Sequence, residues 1–104
     1  MRRALLLAAA VAAGHAAAAE LSPRQASLLA ANCVQCHARP GIGAPQMGDA
    51  AAWQERLRQG EARMLANVVL GLRGMPPLGY CSACTEQDLR ALMHAVAGLP
   101  QGKQ

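Results

Sequence analysis

One stretch constrains the fold more than any other, the sequence Cys33-Val34-Gln35-Cys36-His37. Two cysteines separated by two residues and followed directly by histidine form a signature of covalent haem attachment. Residues three apart lie on the same side of a helical turn, so Cys33 and Cys36 can both reach the porphyrin vinyl groups. The motif therefore predicts one covalent haem, held by two thioether bonds, with His37 as the first axial ligand of the iron.

Two other chemistries use similar cysteine pairs. A thioredoxin-like dithiol does not need the histidine, and it normally lies in a βαβ unit, of which this sequence gives no sign. A zinc site would combine the motif with Cys81 and Cys84, but zinc knuckles lie in short loops, and a long helical stretch separates these pairs. Covalent haem is favoured over both.

The segment 1–19 has the composition of a secretory signal peptide. Two arginines precede an unbroken apolar run, residues 4–13, and small residues lead up to Ala19. A transmembrane anchor needs about 20 apolar residues, whereas this run is interrupted at Gly14. We expect cleavage near Ala19, which leaves a periplasmic domain, residues 20–104, without a transmembrane segment.

The composition is that of a small domain that needs a cofactor. The chain has one Trp, one Tyr and no Phe, so it has almost no aromatic core of its own. Without the two arginines of the leader, 8 basic residues face 6 acidic ones, and two haem propionates bring the holoprotein near neutrality. Dispersed arginines without aromatic stacking platforms exclude a nucleic-acid surface.

The hydrophobic pattern predicts short helices and no strands. Ser22, Pro23 and Gln25 form a capping box at the start of the first helix. Its apolar positions are Ala26, Leu29, Ala30 and Cys33. Later helices begin at Asp49, Glu61 and Thr85 and end near Gly60, Leu72 and Gly98. The predicted apolar stripes are Leu65, Val68, Val69 and Leu72 on the third helix, and Leu89, Leu92, Met93 and Val96 on the last. The fold class is all-α, with four to five short helices wrapped around one haem.

The segment 39–48 is too rich in proline and glycine for regular structure. It must pass on the histidine side of the haem. A ligating histidine usually donates its other ring N–H to a nearby carbonyl. We expect the carbonyl of Pro45 or a neighbour to accept this bond from His37.

Candidates for the second axial ligand are the remaining methionines and His94. His94 lies about 150° from the centre of the last helix's apolar stripe, which predicts a surface position. Met64 and Met93 lie at helical core spacing. Met47 follows His37 by ten positions and should still be on the histidine side.

Met75 lies in a loop, residues 72–79, that can reach the opposite face of the haem. Pro76 disfavours helical backbone at Met75, and Pro77 stiffens the turn. We therefore predict Met75 as the second ligand, which gives a His/Met pair.

With these ligands placed, the chain resembles the class I cytochromes c, and more closely the cytochrome c5 family, over essentially its whole mature length. The resemblance rests on residues 33–37, on Gly43-Ala44-Pro45 with Gly48-Asp49-Ala50-Ala51-Ala52-Trp53, on Gly74-Met75-Pro76-Pro77, and on Cys81-Ser82-Ala83-Cys84. It implies a monohaem electron carrier of the periplasm that contains haem c. It also implies a disulfide between Cys81 and Cys84, and Trp53 close to a haem propionate.

Thr85, rather than a histidine, follows the second cysteine pair, so that pair lacks the ligand that a second haem would need. A disulfide in so small a ring contributes about 2 kcal/mol by loop entropy. We expect its main effect to be holding the chain that leaves Met75. A reversible dithiol is the alternative, although nothing marks either thiol as activated.

Two filled axial positions leave the iron free only to change its charge. This predicts a monomeric one-electron carrier rather than an enzyme, with redox protein partners that dock transiently. Four arginines either line the exposed haem edge or are ordinary solvated side chains: Arg39, Arg56, Arg58 and Arg73. The alternatives are a haem-binding subunit of a periplasmic oxidoreductase, and a haem-based sensor from which Met75 dissociates.

Overall fold

The computed structural model describes residues 20–102, and this part of the chain is helical, as predicted. Its α-helices are α1 (Pro23–Leu28), α2 (Val34–His37), α3 (Ala50–Leu57), α4 (Glu61–Leu70) and α5 (Glu86–Ala97). A π-helical section, Leu29–Cys33, joins α1 to α2, and a 3-10 turn, Pro77–Tyr80, precedes α5. In the described part of the chain the β-structure consists of one isolated bridge, between Leu72 and Met75.

The predicted signal peptide, residues 1–19, lies outside the described residues. Between residues 20 and 102, no helix combines the length and the apolar character that crossing a membrane requires.

The capping signals of the sequence set the helix starts. Ser22 forms the predicted capping box, and Thr85 forms a second one with Asp88 at the predicted start of the last helix. The Asp49 side chain accepts from the N–H of Ala52 at the start of α3. One boundary differs from the prediction, because α4 ends at Leu70 rather than Leu72. The reason is Gly71, whose φ of 83° takes the backbone out of the helix.

The buried face of the first helix differs from the predicted one. Ala26 and Ala30 are exposed, whereas Gln25 is buried and donates a hydrogen bond to Asp88. The bond to Asp88 is one cause of this difference. The π-helical section is a second cause, because its wider turns change the rotational phase of the residues before Cys33. Cys33 still packs against the core, as the sequence pattern predicted.

The core lies where α3, α4 and α5 meet. Its buried members are Trp53, Met64, Leu65, Cys81, Leu89, Met93, Val96 and Ala97. Both methionines predicted to fill the core lie in it, and the whole predicted stripe of α5 is buried. The stripe of α4 was predicted less well: Leu65 is buried, but Val69 is 38% exposed and Leu72 is 46% exposed. The buried residues of helix α4 are Leu65, from the predicted stripe, and Met64 beside it.

The predicted surface position of His94 is wrong, since its side chain is buried. The C-terminal segment folds back over α5, where Gln101 Nε2 donates to the carbonyl of Ala91 at 2.8 Å. His94 Nδ1 lies 3.0 Å from the carbonyl oxygen of Pro100, and Nε2 lies 2.8 Å from Oε1 of Glu61 on α4. A helical wheel cannot show this segment, so the prediction omitted it.

Candidate haem centre

The attachment motif lies at the end of the first helical stretch. Cys33 is the last residue of the π-helical section, and Cys36 and His37 belong to α2. Both cysteines are free; Cys33 is partly buried and Cys36 is exposed. Burial raises the pKa of the Cys33 thiol, which therefore remains protonated at neutral pH. Neither sulfur is used in a disulfide, so both are available for thioether bonds.

His37 is buried, and its ring is held in one tautomer. Nδ1 lies 2.6 Å from the carbonyl oxygen of Pro45, the predicted acceptor. Because a carbonyl only accepts, Nδ1 carries a proton, and in the neutral imidazole this leaves the lone pair on Nε2. Among the described residues, none forms a hydrogen bond with Nε2. The side chain therefore has the form that a metal-ligating histidine requires.

Trp53 packs beside this histidine. The two ring centroids are 5.8 Å apart, and the ring planes are tilted by 39°. The indole N–H donates to the carbonyl of Gln46 at 2.9 Å. Trp53 thus joins helix α3 to the loop that contains Pro45.

The backbone of Met75 is fixed by two hydrogen bonds with Leu72. Its N–H donates to the carbonyl of Leu72 at 2.9 Å, and its carbonyl accepts from the N–H of Leu72 at 3.0 Å. A Cβ at Gly71 would lie 3.0 Å from both the Met75 oxygen and the Pro77 nitrogen, so this position needs glycine. The terminal methyl of Met75 lies beside Gly79, 3.6 Å from where a Cβ would be.

The Met75 segment also concentrates backbone strain. Three non-glycine residues between positions 20 and 102 have positive φ angles: Arg73 at 53°, Leu78 at 61° and Tyr80 at 64°. Such conformations cost L-residues about 1–3 kcal/mol each and cluster at functional sites. All three lie within five positions of Met75, which indicates that this loop is shaped for a purpose other than stability.

Cys81 and Cys84 form a disulfide directly after the 3-10 turn. Cys81 is almost fully buried and belongs to the core. Arg24 Nη2 donates at 2.8 Å to the carbonyl of Ala83, which lies inside the disulfide ring. The chain that leaves Met75 is therefore fixed to the core and to α1.

The attachment motif and the Met75 loop share one core. The π-helical section contacts both α5 and the 3-10 turn that follows Met75. Cys33, Leu78 and Cys84 all pack against the same buried cluster. Large exposed apolar side chains occur in the 39–48 loop and around the Met75 loop: Ile42, Val69, Leu70, Leu72 and Tyr80.

The four arginines considered for a haem edge are all exposed: Arg39, Arg56, Arg58 and Arg73. Two of them interact with residues of α3. Arg56 donates to the carbonyl of Ala52, and Arg58 pairs with Glu55 at 3.1 Å. Arg39 and Arg73 form no ion pair with a described residue.

Three residues that shape this region were missed in the sequence. Gly71 could have been found, because glycine directly after an apolar helical run is a common helix stop. Arg24 carried no such signal because its partners lie 59 and 64 positions away. Gln46 carried none because its contacts depend on the path of the 39–48 loop.

The donor set fits a covalently attached haem: two free cysteines at the end of one helix, a histidine with a free Nε2, and a methionine in a fixed loop. An all-helical domain with this motif belongs to the c-type haem proteins.

Residues 22–94 match the family described as cytochrome c oxidase, cbb3-type, subunit III. The chain is 38% identical over 74 residues to cytochrome c5 of Ectopseudomonas mendocina, covering 69% of this chain and 85% of that one. It is 36% identical over 74 residues to cytochrome c5 of Azotobacter vinelandii, covering 69% and 89%. One solved structure is described as the crystal structure of an electron transfer complex of nitrite reductase with cytochrome c. A chain of it superimposes on this chain with a TM-score of 0.66 at 38% identity, covering 76% of this chain and 96% of that one. This chain belongs to the class I cytochromes c, in the cytochrome c5-like family.

Proposed function

We propose that the mature chain, residues 20–104, carries single electrons in a periplasmic electron-transfer chain. Cys33 and Cys36 would hold one haem c by thioether bonds, and His37 and Met75 would bind its iron. The observation that carries this proposal is the His37–Pro45 hydrogen bond, which places the proton of the neutral imidazole on Nδ1 and so leaves Nε2 able to bind iron. The bound haem supplies one-electron redox chemistry at its iron.

The protein residues set how that chemistry proceeds. The Pro45 carbonyl orients the imidazole of His37 and raises its basicity. The thioether of Met75 is a neutral donor that favours the ferrous state, which raises the reduction potential. Two fixed ligands leave no position on the metal for a substrate, which argues for electron transfer rather than catalysis.

Trp53 has a supporting role in this proposal, close to a haem propionate. Its indole N–H is already donated to the carbonyl of Gln46. The indole N–H is therefore not free to donate to the propionate, and Trp53 acts by fixing the Gln46 carbonyl. The Cys81–Cys84 disulfide holds the chain that leaves Met75.

The partners in this proposal are redox proteins that dock transiently with the monomer. The solved relative in an electron transfer complex with nitrite reductase supports a partner of this kind. The family match to an oxidase subunit favours a second candidate, a haem-binding subunit of a larger periplasmic oxidoreductase. The apparent mass of the protein in a native periplasmic extract separates the two, since a free carrier elutes at the mass of one domain.

The test is to express the chain with c-type maturation machinery, denature it in acid and extract it with organic solvent. We expect the pigment to stay with the polypeptide, and the ferric protein to show the far-red band of iron–thioether ligation. The double variant Cys33→Ala/Cys36→Ala should release any pigment. Pigment that leaves the wild-type chain, or a colourless protein, contradicts the proposal. Carbon monoxide binding to the untreated reduced protein would instead support a sensor.

A further inference from the structure

The side-chain amide of Gln46 lies close to three backbone carbonyls around the attachment motif, and no sequence signal indicated this arrangement. Its Nε2 lies 3.1 Å from the carbonyl oxygen of Cys36, 3.1 Å from that of Arg39 and 2.9 Å from that of Ala44. Carbonyls at the end of a helix lack partners within the helix. The amide of Gln46 supplies donors to the end of α2 and to the loop that follows.

The backbone around Gln46 is attached to the same histidine from two sides. The preceding carbonyl, of Pro45, accepts from His37 Nδ1 at 2.6 Å. The following N–H, of Met47, donates to the carbonyl of His37 at 2.7 Å. The carbonyl of Gln46 itself accepts from the indole of Trp53. Gln46 is therefore the point where this loop is joined to both α2 and α3.

The rest of this loop supplies little rigidity of its own. Gly41, Gly43 and Gly48 have φ angles between 82° and 87°, and a Cβ added at any of them would meet no atom within 4 Å. Glycines in open surroundings do not by themselves hold a carbonyl in place. The position of the Pro45 carbonyl thus depends on the hydrogen bonds of Gln46, together with the bond from the Met47 N–H to His37.

We propose that Gln46 is a positioning residue for His37. Its side-chain amide fixes the Pro45 carbonyl and so sets the strength of the hydrogen bond from His37 Nδ1. The inference rests on the proposed function, in which His37 is an iron ligand. A stronger bond makes the imidazole a better donor and stabilises ferric iron, so losing it raises the reduction potential.

A merely structural role of Gln46 predicts the opposite sign. If the loop only opened and admitted water, the more highly charged ferric form would be stabilised and the potential would fall. The direction of the shift therefore separates positioning from general loosening.

The experiment compares Gln46→Ala and Gln46→Leu with the wild-type holoprotein. Leucine keeps the volume of the side chain but cannot donate. Gln54→Ala is the control, because Gln54 is an exposed glutamine on α3, next to Trp53. Two quantities are measured: the potential, and the exchange rate of the His37 Nδ1 proton by NMR of the reduced protein.

We expect both Gln46 variants to exchange this proton about tenfold faster, the factor for one net hydrogen bond. Their potentials should shift upward, with the far-red band retained, and Gln54→Ala should match the wild type. Unchanged exchange, or a downward shift in potential, would overturn this inference while leaving the proposed function intact. A wild-type protein without covalent haem would overturn both.

Discussion

Arg24 and Asp88 are 64 positions apart in the chain, yet Arg24 Nη1 lies 2.6 Å from Asp88 Oδ2. The Asp88 side chain is 7% exposed, and it also accepts from the N–H of Thr85. The second guanidinium nitrogen reaches the carbonyl of Ala83 in the disulfide ring. One exposed arginine therefore joins the start of α1 to the start of α5 and to the chain that leaves Met75.

From this ion pair we predict how the stability of the fold changes in acid. The Arg24 guanidinium, with the Thr85 N–H, holds the pKa of Asp88 well below its ordinary value of 3.8. A carboxyl with a depressed pKa stabilises the fold above its ordinary value and loses that contribution as pH falls toward the folded-state value. Arg24→Ala should therefore begin acid unfolding at a higher pH, as followed by circular dichroism.

The control for this prediction is Arg58→Ala. Arg58 and Glu55 form an exposed pair three positions apart, and such pairs contribute almost nothing measurable. Its acid transition should coincide with that of the wild type. Equal transitions for the two arginine variants would contradict the role assigned to Arg24.

The two roles of methionine in this protein can be separated by substitution. Met75→Ala should abolish the far-red ferric band and lower the potential, because the proposed function assigns the iron's thioether ligand to Met75. Met64→Ala should keep the band but lower the free energy of unfolding by about 2–5 kcal/mol, since Met64 fills the core. Absorption spectra and urea titrations measure the two effects. A band that survives in Met75→Ala and is lost in Met64→Ala or Met47→Ala would show that the wrong sulfur was chosen.

The contact between the buried His94 and the exposed carboxylate of Glu61 leads to a second pH-dependent prediction. The hydrogen bond from His94 lowers the pKa of the Glu61 carboxyl, and Arg90 adds to the shift. The pair therefore stabilises the fold above the ordinary glutamate range, and the contribution is lost as the solution is acidified. Glu61→Gln should lower the Tm at neutral pH, and the difference from the wild type should disappear in acid.

Glu86→Gln is the matched control for that experiment. Glu86 pairs with the same Arg90 but is 74% exposed and contacts no histidine. Its Tm should follow the wild type at every pH. A constant difference between Glu61→Gln and the wild type across the pH range would refute the assigned cause.

The disulfide should matter more for the iron–sulfur bond than for global stability. Cys81→Ala/Cys84→Ala should lower the free energy of unfolding by about 2 kcal/mol from loop entropy. In the same variant the far-red band should disappear on heating well before the helices unfold. Thermal scans that follow the band and the helical signal together would detect this separation. Coincident loss of both signals in the variant would contradict it.

Much of the local structure was determined by the sequence because it depends on neighbouring residues. The capping boxes of Ser22 and Thr85 need side chains only three positions away. The His37–Pro45 bond joins residues eight apart. It could be predicted because the 39–48 loop follows His37 directly and must pass on the histidine side of the haem. The spacing of the apolar residues in α5 likewise indicates which face of that helix is buried.

Other features were decided only by the tertiary structure. The ion pair of Arg24 with Asp88 joins residues 64 positions apart, and the contact of His94 with Glu61 joins residues 33 apart, so both arise from chain segments meeting in space. A polar side chain in a sequence carries no mark of the carbonyl or carboxylate that it will reach. Its role is fixed by packing energy summed over the whole core, which no local pattern records.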